Sequence, residues 1–222
     1  MRAFGACDSG SNPDGATFKI LKMVVMMAMM TESKDVEDKE EILIHTCCAP
    51  CLTIPFLRLS KRFHIVSYFY NPNIHPYTEY KTRLEALKKF AHLKKFTLIF
   101  ENFDYEYTKK FISNQLMHDE KGKKERCLFC YQDRIKKTVD YALNNGYKTF
   151  TTSLLTSPYQ YHDEIREICE SYANNSGLDF VYEDFRSDYK KSIELCKEYE
   201  IYRQKYCGCV FSEFERYLKI KD

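Results

Sequence analysis

The chain has 222 residues, a formal net charge of +2, 18 Tyr, 16 Phe, no Trp and 10 Cys. That length buries a proper core without disulfide staples, and the near-neutral charge excludes recognition of an anionic partner by a global field, so any nucleic-acid contact must be local. Glycine is scarce: after Gly15 only Gly122, Gly146, Gly177 and Gly208 remain, which excludes a G-x-G-x-x-G dinucleotide turn and a Walker-type phosphate loop.

Residues 1 to about 16 are rich in Gly, Asp and Ser and include Cys7, which is given no role. The apolar run ILKMVVMMAMM, 20–30, carries Lys22 and is too short to span a bilayer, and no small-residue cleavage pattern follows it. Residues 1–40 therefore read as a disordered or atypical extension, residues 41–222 as a single catalytic α/β domain, and the setting as a reducing cytoplasm without membrane attachment.

From Glu41 the pattern becomes regular. EILIHT predicts a buried strand, and TIPFLRLSKRF, 53–63, a helix with Pro55 in its first turn. HIVSYFY is a second strand, NPNIHPYTEY a loop, residues 78–93 a helix and FTLIFENF a third strand. YEYTKKFISNQLMH predicts a helix, HDEKGKKER a charged loop, and residues 127–145 a long helix that Gly146 can end. YKTFTTS is a fourth strand, LLTSPYQYH a loop, residues 163–175 a helix ended by Gly177, and DFVYEDF a fifth strand. Residues 188–201 are helical, YRQKYCGCVFS is a loop, and SEFERYL a last short helix.

Strands that alternate with helices imply crossover connections. The expected fold class is α/β, a Rossmann-like parallel sheet of about five strands with helices on both faces. Ligands of such sheets bind beyond the carboxyl ends of the strands, where CCAPC, NPNIHPY and LLTSPYQYH should converge and form a metal site.

Seven cysteines fall in three tight groups: Cys47, Cys48 and Cys51 in HTCCAPC, Cys127 and Cys130 in RCLFC, and Cys207 and Cys209 in YCGC. Thiolates suit zinc, iron and iron–sulfur clusters, and spacing does not separate these. Cys127 and Cys130 open a helix in this reading, so the helix terminus should lower the Cys127 pKa. Cys47 and Cys48 are consecutive and should diverge in an extended loop. HTCCAPC is then a bridge between two neighbouring centres, and four plus three is an attractive division because three sulfurs leave a position open. Asp133, three residues beyond Cys130, is a candidate further ligand. Cys169 and Cys196 lie on apolar helical faces and read as core.

HTCCAPC, FYNPNIHPYTEYKTRLEALKKFA, RCLFCYQDR, FTTSLLTSPYQYHDEI and YRQKYCGCVFSE, in that order from about Ile42 to the C-terminus, together resemble the QueH-type epoxyqueuosine reductases. The chain departs from that family at HDEKGKKERC, where members resemble a Glu-Gly-Gly-containing approach to the cysteine pair. The resemblance implies reduction of epoxyqueuosine to queuosine in tRNA, with a 4Fe–4S cluster beside a mononuclear metal, taken as iron. It implies Cys47, Cys48, Cys51, Cys127, Cys130, Cys207 and Cys209 as ligands, without dividing them between the centres, and a partner such as flavodoxin or ferredoxin as electron donor. Removing the epoxide oxygen as water takes two electrons and two protons, aided by a Lewis-acid metal and a cluster that supplies electrons. His45, His75, Tyr77 and Tyr206 are possible proton donors, none assigned.

For the RNA, residues 121–137 carry Lys121, Lys123, Lys124, Arg126, Arg134, Lys136 and Lys137 against Glu125 and Asp133, a local excess suited to phosphate. Tyr68, Tyr70, Tyr77 and Tyr159 form a pool of base-stacking candidates. The rival readings are a thiol-redox or sulfur-transfer enzyme acting on tRNA, which would be active without metal, and a zinc-stabilised RNA-binding module, which would hold zinc and turn nothing over.

Overall fold

The computed structural model describes residues 39–218, so the extension expected over residues 1–40, with Cys7, lies outside the described residues apart from its end. Five strands, β1 (Glu41–His45), β2 (His64–Phe69), β3 (Thr97–Phe100), β4 (Thr149–Thr152) and β5 (Asp179–Phe180), form one sheet in the order β3-β2-β1-β4-β5. Every pairing is parallel, as the alternation of strands and helices requires. The chain winds outward from β1 to β3, then returns to the other side of β1 for β4. The gap beyond the carboxyl ends of β1 and β4 is thus the topological switch point, where open α/β sheets take their ligands.

The helices are α1 (Ala49–Leu59), α2 (Tyr77–Lys94), α3 (Tyr105–Asp119), α4 (Lys123–Asn145), α5 (His162–Ser176), α6 (Tyr189–Glu198) and α7 (Val210–Tyr217). Central strand β1 is covered on both faces: Ile42, Leu43 and Ile44 are fully buried, and Leu43 lies in register with Val66 of β2 and Phe150 of β4. Cys169 and Cys196 belong to this core, as their helical faces suggest. Among the described residues no helix is long and apolar enough to cross a membrane.

Several boundaries differ from expectation, and three stand out. First, α1 begins at Ala49, not at Thr53: Cys48 is its N-cap and Pro50 occupies its first turn, the place where a missing N–H costs nothing. Pro55 is then inside the helix, where it cannot donate to the carbonyl four residues back. That carbonyl belongs to Cys51, and the Thr156 hydroxyl donates to it instead at 2.8 Å. The proline thereby frees a helix acceptor that ties α1 to the segment after β4.

Second, the charged loop 118–126 shrinks to the turn around Gly122, since α3 runs to Asp119 and α4 starts at Lys123. Gly122 has φ +110, and the run after it, KKERCLFC, contains good helix formers. Third, β5 keeps only two residues of the expected seven. It stands at the sheet edge, and the rest of DFVYEDF leaves the ladder.

Phe150 is fully buried on β4 against Phe180. Phe150→Ala is expected to destabilise the protein by about 3–5 kcal/mol, measured by denaturant unfolding.

Candidate metal centre

The end of β1 and the start of α1 bring three sulfurs together. The sulfurs of Cys47, Cys48 and Cys51 all lie within 4.8 Å of one another, with Cys47 Sγ 3.6 Å from Cys48 Sγ. The expected divergence of Cys47 and Cys48 is therefore corrected. The segment is not a continuing extended loop: at Cys48 the chain enters α1, and the first helical turn folds Cys51 back onto its two predecessors. The helix terminus that stabilises anionic sulfur is consequently that of α1.

Hydrogen bonds polarise this trio. Cys47 Sγ accepts from Ser153 Oγ at 3.4 Å, and the Cys47 N–H donates to that same hydroxyl at 3.0 Å. Bonds from the Cys48 and Cys51 thiols hold the Cys47 pKa well below its ordinary value. Burial pushes Cys48 up, and donation to Cys47 pushes Cys51 up. The side-chain amide of Gln204 donates to Cys48 Sγ at 2.8 Å.

The remaining four thiols approach from α4 and from the segment before α7. Cys127, Cys130, Cys207 and Cys209 are electrostatic neighbours of one another, although no three of them lie as close together as the first trio does among the described residues. Because α4 starts at Lys123, Cys127 is in the second turn, beyond the reach of the helix terminus. Its pKa is raised by burial, not lowered as expected. Cys209 is the N-cap of α7 and accepts from the Ser212 N–H at 3.4 Å. Cys207 is exposed, and Gln160, held by the Tyr131 hydroxyl at 2.8 Å, reaches toward its sulfur at 3.8 Å.

Two buried guanidiniums face both groups. Arg83 and Arg134 are each 1% exposed. Arg83 donates to Glu79 at 2.7 Å and to the carbonyls of Cys207 (2.7 Å) and Tyr206 (3.1 Å), and it senses Cys48 and Cys207. Arg134 donates to the Cys130 carbonyl at 3.2 Å and the Asn71 amide oxygen at 3.4 Å, senses Cys130, Cys207 and Cys47, and leaves Nη2 without a partner. A permanent charge buried with an unused donor calls for an anion beside it. Thiolates and the sulfides of a cluster are anions of that kind.

Asp133, like the four later cysteines, lies outside the 4.8 Å trio; its Oδ1 accepts from Tyr107 while its buried Oδ2 has no partner, and burial raises its pKa. His45 is wholly buried between Thr152 and the Tyr70 carbonyl, with its pKa driven down to about 3 mainly by desolvation; it is neutral and structural. His75 and Tyr206 join the cysteine segments: the His75 N–H donates to the Gly208 carbonyl at 2.8 Å and the Tyr206 hydroxyl to the His75 carbonyl at 2.7 Å.

The basic stripe 121–137 is corrected too. Arg126 and Arg134 are buried, Lys123 and Arg126 pair with Glu215, Lys124 with Glu164, Lys136 with Asp140 and Lys137 with Glu101. Among the tyrosines, Tyr68 is buried and bonded to Glu101, and Tyr70 is half-buried and stacked on Tyr68, whereas Tyr77 and Tyr159 are exposed. The sequence reading missed Ser153, Gln160, Gln204 and Arg83. For Arg126, Cys130 and Arg134 a signal existed: spaced by four, they share one helical face.

A doubly wound parallel sheet with clustered thiols at its switch point defines a cysteine-rich α/β protein whose Cys47, Cys48 and Cys51 could hold a metal ion. A family model described as epoxyqueuosine reductase QueH matches residues 42–215. Curated relatives of that name include one from Dehalococcoides mccartyi, 38% identical over 81% of this chain and 96% of its own length. Another from Thermotoga maritima is 35% identical over 79% and 91%, and one from Staphylococcus epidermidis is 33% identical over 83% and 81%. The chain belongs to the QueH family of epoxyqueuosine reductases.

Gly208 carries a further expectation. Its φ is +130, and a Cβ there would stand 2.9 Å from Arg83 Nη1 and 3.1 Å from Ile74 Cγ1. Gly208→Ala should cost about 1–3 kcal/mol of backbone strain and displace the Cys207–Cys209 turn from Arg83. A lowered thermal midpoint together with faster alkylation of Cys207 checks this.

Proposed function

We propose that this protein reduces the epoxide of epoxyqueuosine in tRNA to give queuosine, a two-electron deoxygenation that expels oxygen as water. The observation that carries the reading is a trio of thiols within 4.8 Å at the sheet's switch point, sharing two buried guanidiniums with the later cysteine groups, in a chain of this family. Cys127, Cys130, Cys207 and Cys209 would hold a 4Fe–4S cluster, and Cys47, Cys48 and Cys51 a single iron with an open position. The donor set fits: all seven ligands are soft sulfurs, the Ser153 hydroxyl, the Ser212 N–H and the side-chain amides of Gln160 and Gln204 donate to or reach toward sulfur, and the unpartnered Arg134 Nη2 awaits an anion. When bound, these groups supply electrons one at a time and a Lewis acid.

The chain's own residues do the rest. Arg134 holds negative charge between the two thiol groups, and Ser153 and Gln204 fix the Cys47 and Cys48 sulfurs. His45 is no proton source, since the neutral ring already engages both nitrogens within the fold. The setting proposed is the cytoplasm, and the electron donor a small redox protein of the flavodoxin or ferredoxin kind.

Anaerobically purified protein is expected to be brown, to carry about four to five irons, and to convert epoxyqueuosine to queuosine in tRNA when a reductant is supplied. Cys48→Ser should lose about one iron and at least 100-fold in turnover, the loss expected when an interaction made in the transition state is removed. A colourless, metal-free protein that still turns over would instead establish the thiol-redox reading.

A further inference from the structure

The established family does not say where on this chain RNA is gripped, and of the stripe that its sequence offered, Lys123, Lys124, Arg126, Lys136 and Lys137 are spent on internal pairs and Arg134 is buried. Another surface has the opposite property. The segment Tyr202–Tyr206 runs past both thiol groups with alternating sides. Gln204 turns inward to donate to Cys48 Sγ, and Tyr206 turns inward over the Arg83 guanidinium and bonds the His75 carbonyl. Alternation along an extended chain therefore leaves Arg203 and Lys205 outward, and both are exposed with no ion-pair partner among the described residues. Among the carboxylates close at hand, Glu79 is committed to Arg83 and Tyr202 and Glu200 to Lys89, while Glu213 stands 3.7 Å from His75.

A second segment repeats the arrangement from the far side. Gln160 turns inward toward Cys207, while its neighbour Tyr159 is 80% exposed, the most exposed large aromatic among the described residues. Tyr159 meets Tyr189 edge to face at 6.0 Å, and Tyr189 has Cys51, Tyr159, Arg203 and Cys48 as electrostatic neighbours. One ring thus links the buried sulfurs, the exposed ring and the free cation.

We propose that Tyr159, Tyr189, Arg203 and Lys205 form the rim on which an unpaired RNA loop docks, with a base stacked on Tyr159 and the cations on its phosphates. This rests on the reductase reading for the identity of the RNA, but not for its own test. Every base has a face to stack, and a rigid aromatic beside free cations is the chemistry that holds single-stranded RNA.

The test is binding of a fluorescein-labelled anticodon stem-loop RNA to anaerobically purified holoprotein at several salt concentrations, with iron content and circular dichroism confirming each variant's integrity. Arg203→Gln with Lys205→Gln should weaken binding about 5- to 25-fold at 0.1 M salt and flatten the salt slope by about 1.4, since each lost single-strand phosphate contact removes about 0.7. Tyr159→Ala should weaken binding about fivefold or more with an unchanged slope, because stacking releases no counterions. Lys123→Gln with Lys124→Gln should stay within about twofold of wild type, their charges being already paired. If the Arg203/Lys205 variant binds like wild type, or the Lys123/Lys124 variant takes its place as the weak one, the rim is wrong. Protein that grips RNA through this rim yet leaves the epoxide intact would remove the reductase reading and leave the docking surface standing.

Discussion

The constraint on which the rest of this structure depends is the burial of Arg83 and Arg134 at the switch point. A guanidinium cannot shed its proton, so its charge has to be met inside the protein. Arg83 is met by Glu79 and two carbonyls. Arg134 has no carboxylate among its hydrogen-bond partners, only a carbonyl and an amide oxygen. Part of its balance comes from sulfur, since Cys130, Cys207 and Cys47 raise its affinity for the proton together with Tyr131, and the Asp133 carboxylate lies within its electrostatic reach. The thiols and the arginines are one electrostatic unit. Ionising those thiols would offset part of the cost of burying Arg134.

That unit explains why the surrounding segments are tied as they are. Thr156 occupies the carbonyl that Pro55 leaves free, locking α1 to the segment after β4. Gly208 lets the Cys207–Cys209 turn close over Arg83 without a side chain in between, and the His75 N–H pins that turn through its carbonyl. Pieces from four separated parts of the chain are held by polar bonds whose partners are mostly buried, where such bonds count most.

The order of strands and helices was legible because hydrophobic runs alternate with amphipathic ones, and the carboxyl-edge location followed from parallelism. Two things were not legible. Which strands are neighbours is a tertiary choice, so the placement of β4 beside β1, which defines the switch point, had no local signal. The start of α4 was hidden by composition: HDEKGKKER reads as a loop by charge, yet only its glycine breaks the helix. Missing that one turn misplaced Cys127 at a helix terminus and made Arg126 and Arg134 look like surface cations. Their spacing with Cys130, one residue in every four, was in the sequence and pointed inward. Cys47 and Cys48 failed for a similar reason, since the helix start at Ala49 bends the pair out of the extended geometry that separates adjacent side chains.

The same buried charges bear on how a polyanion can come near seven sulfurs at all. An uncompensated thiolate repels a phosphate 10 Å away by about 0.4 kcal/mol at the dielectric of water and about 1.7 kcal/mol at an effective dielectric of 20. Several such thiolates together would outweigh what one or two surface cations return at physiological salt, where exposed pairs give about 0–1 kcal/mol each. Arg83 and Arg134 cancel part of that field at its source, without exposure to screening ions. Placing cations inside, between the sulfurs, lets a chain of net charge +2 receive RNA over an anionic centre with few free cations at the rim. A basic surface stripe could have offset the same repulsion only in a salt-dependent way, and here Lys123, Lys124, Lys136 and Lys137 of that stripe are paired with acidic partners.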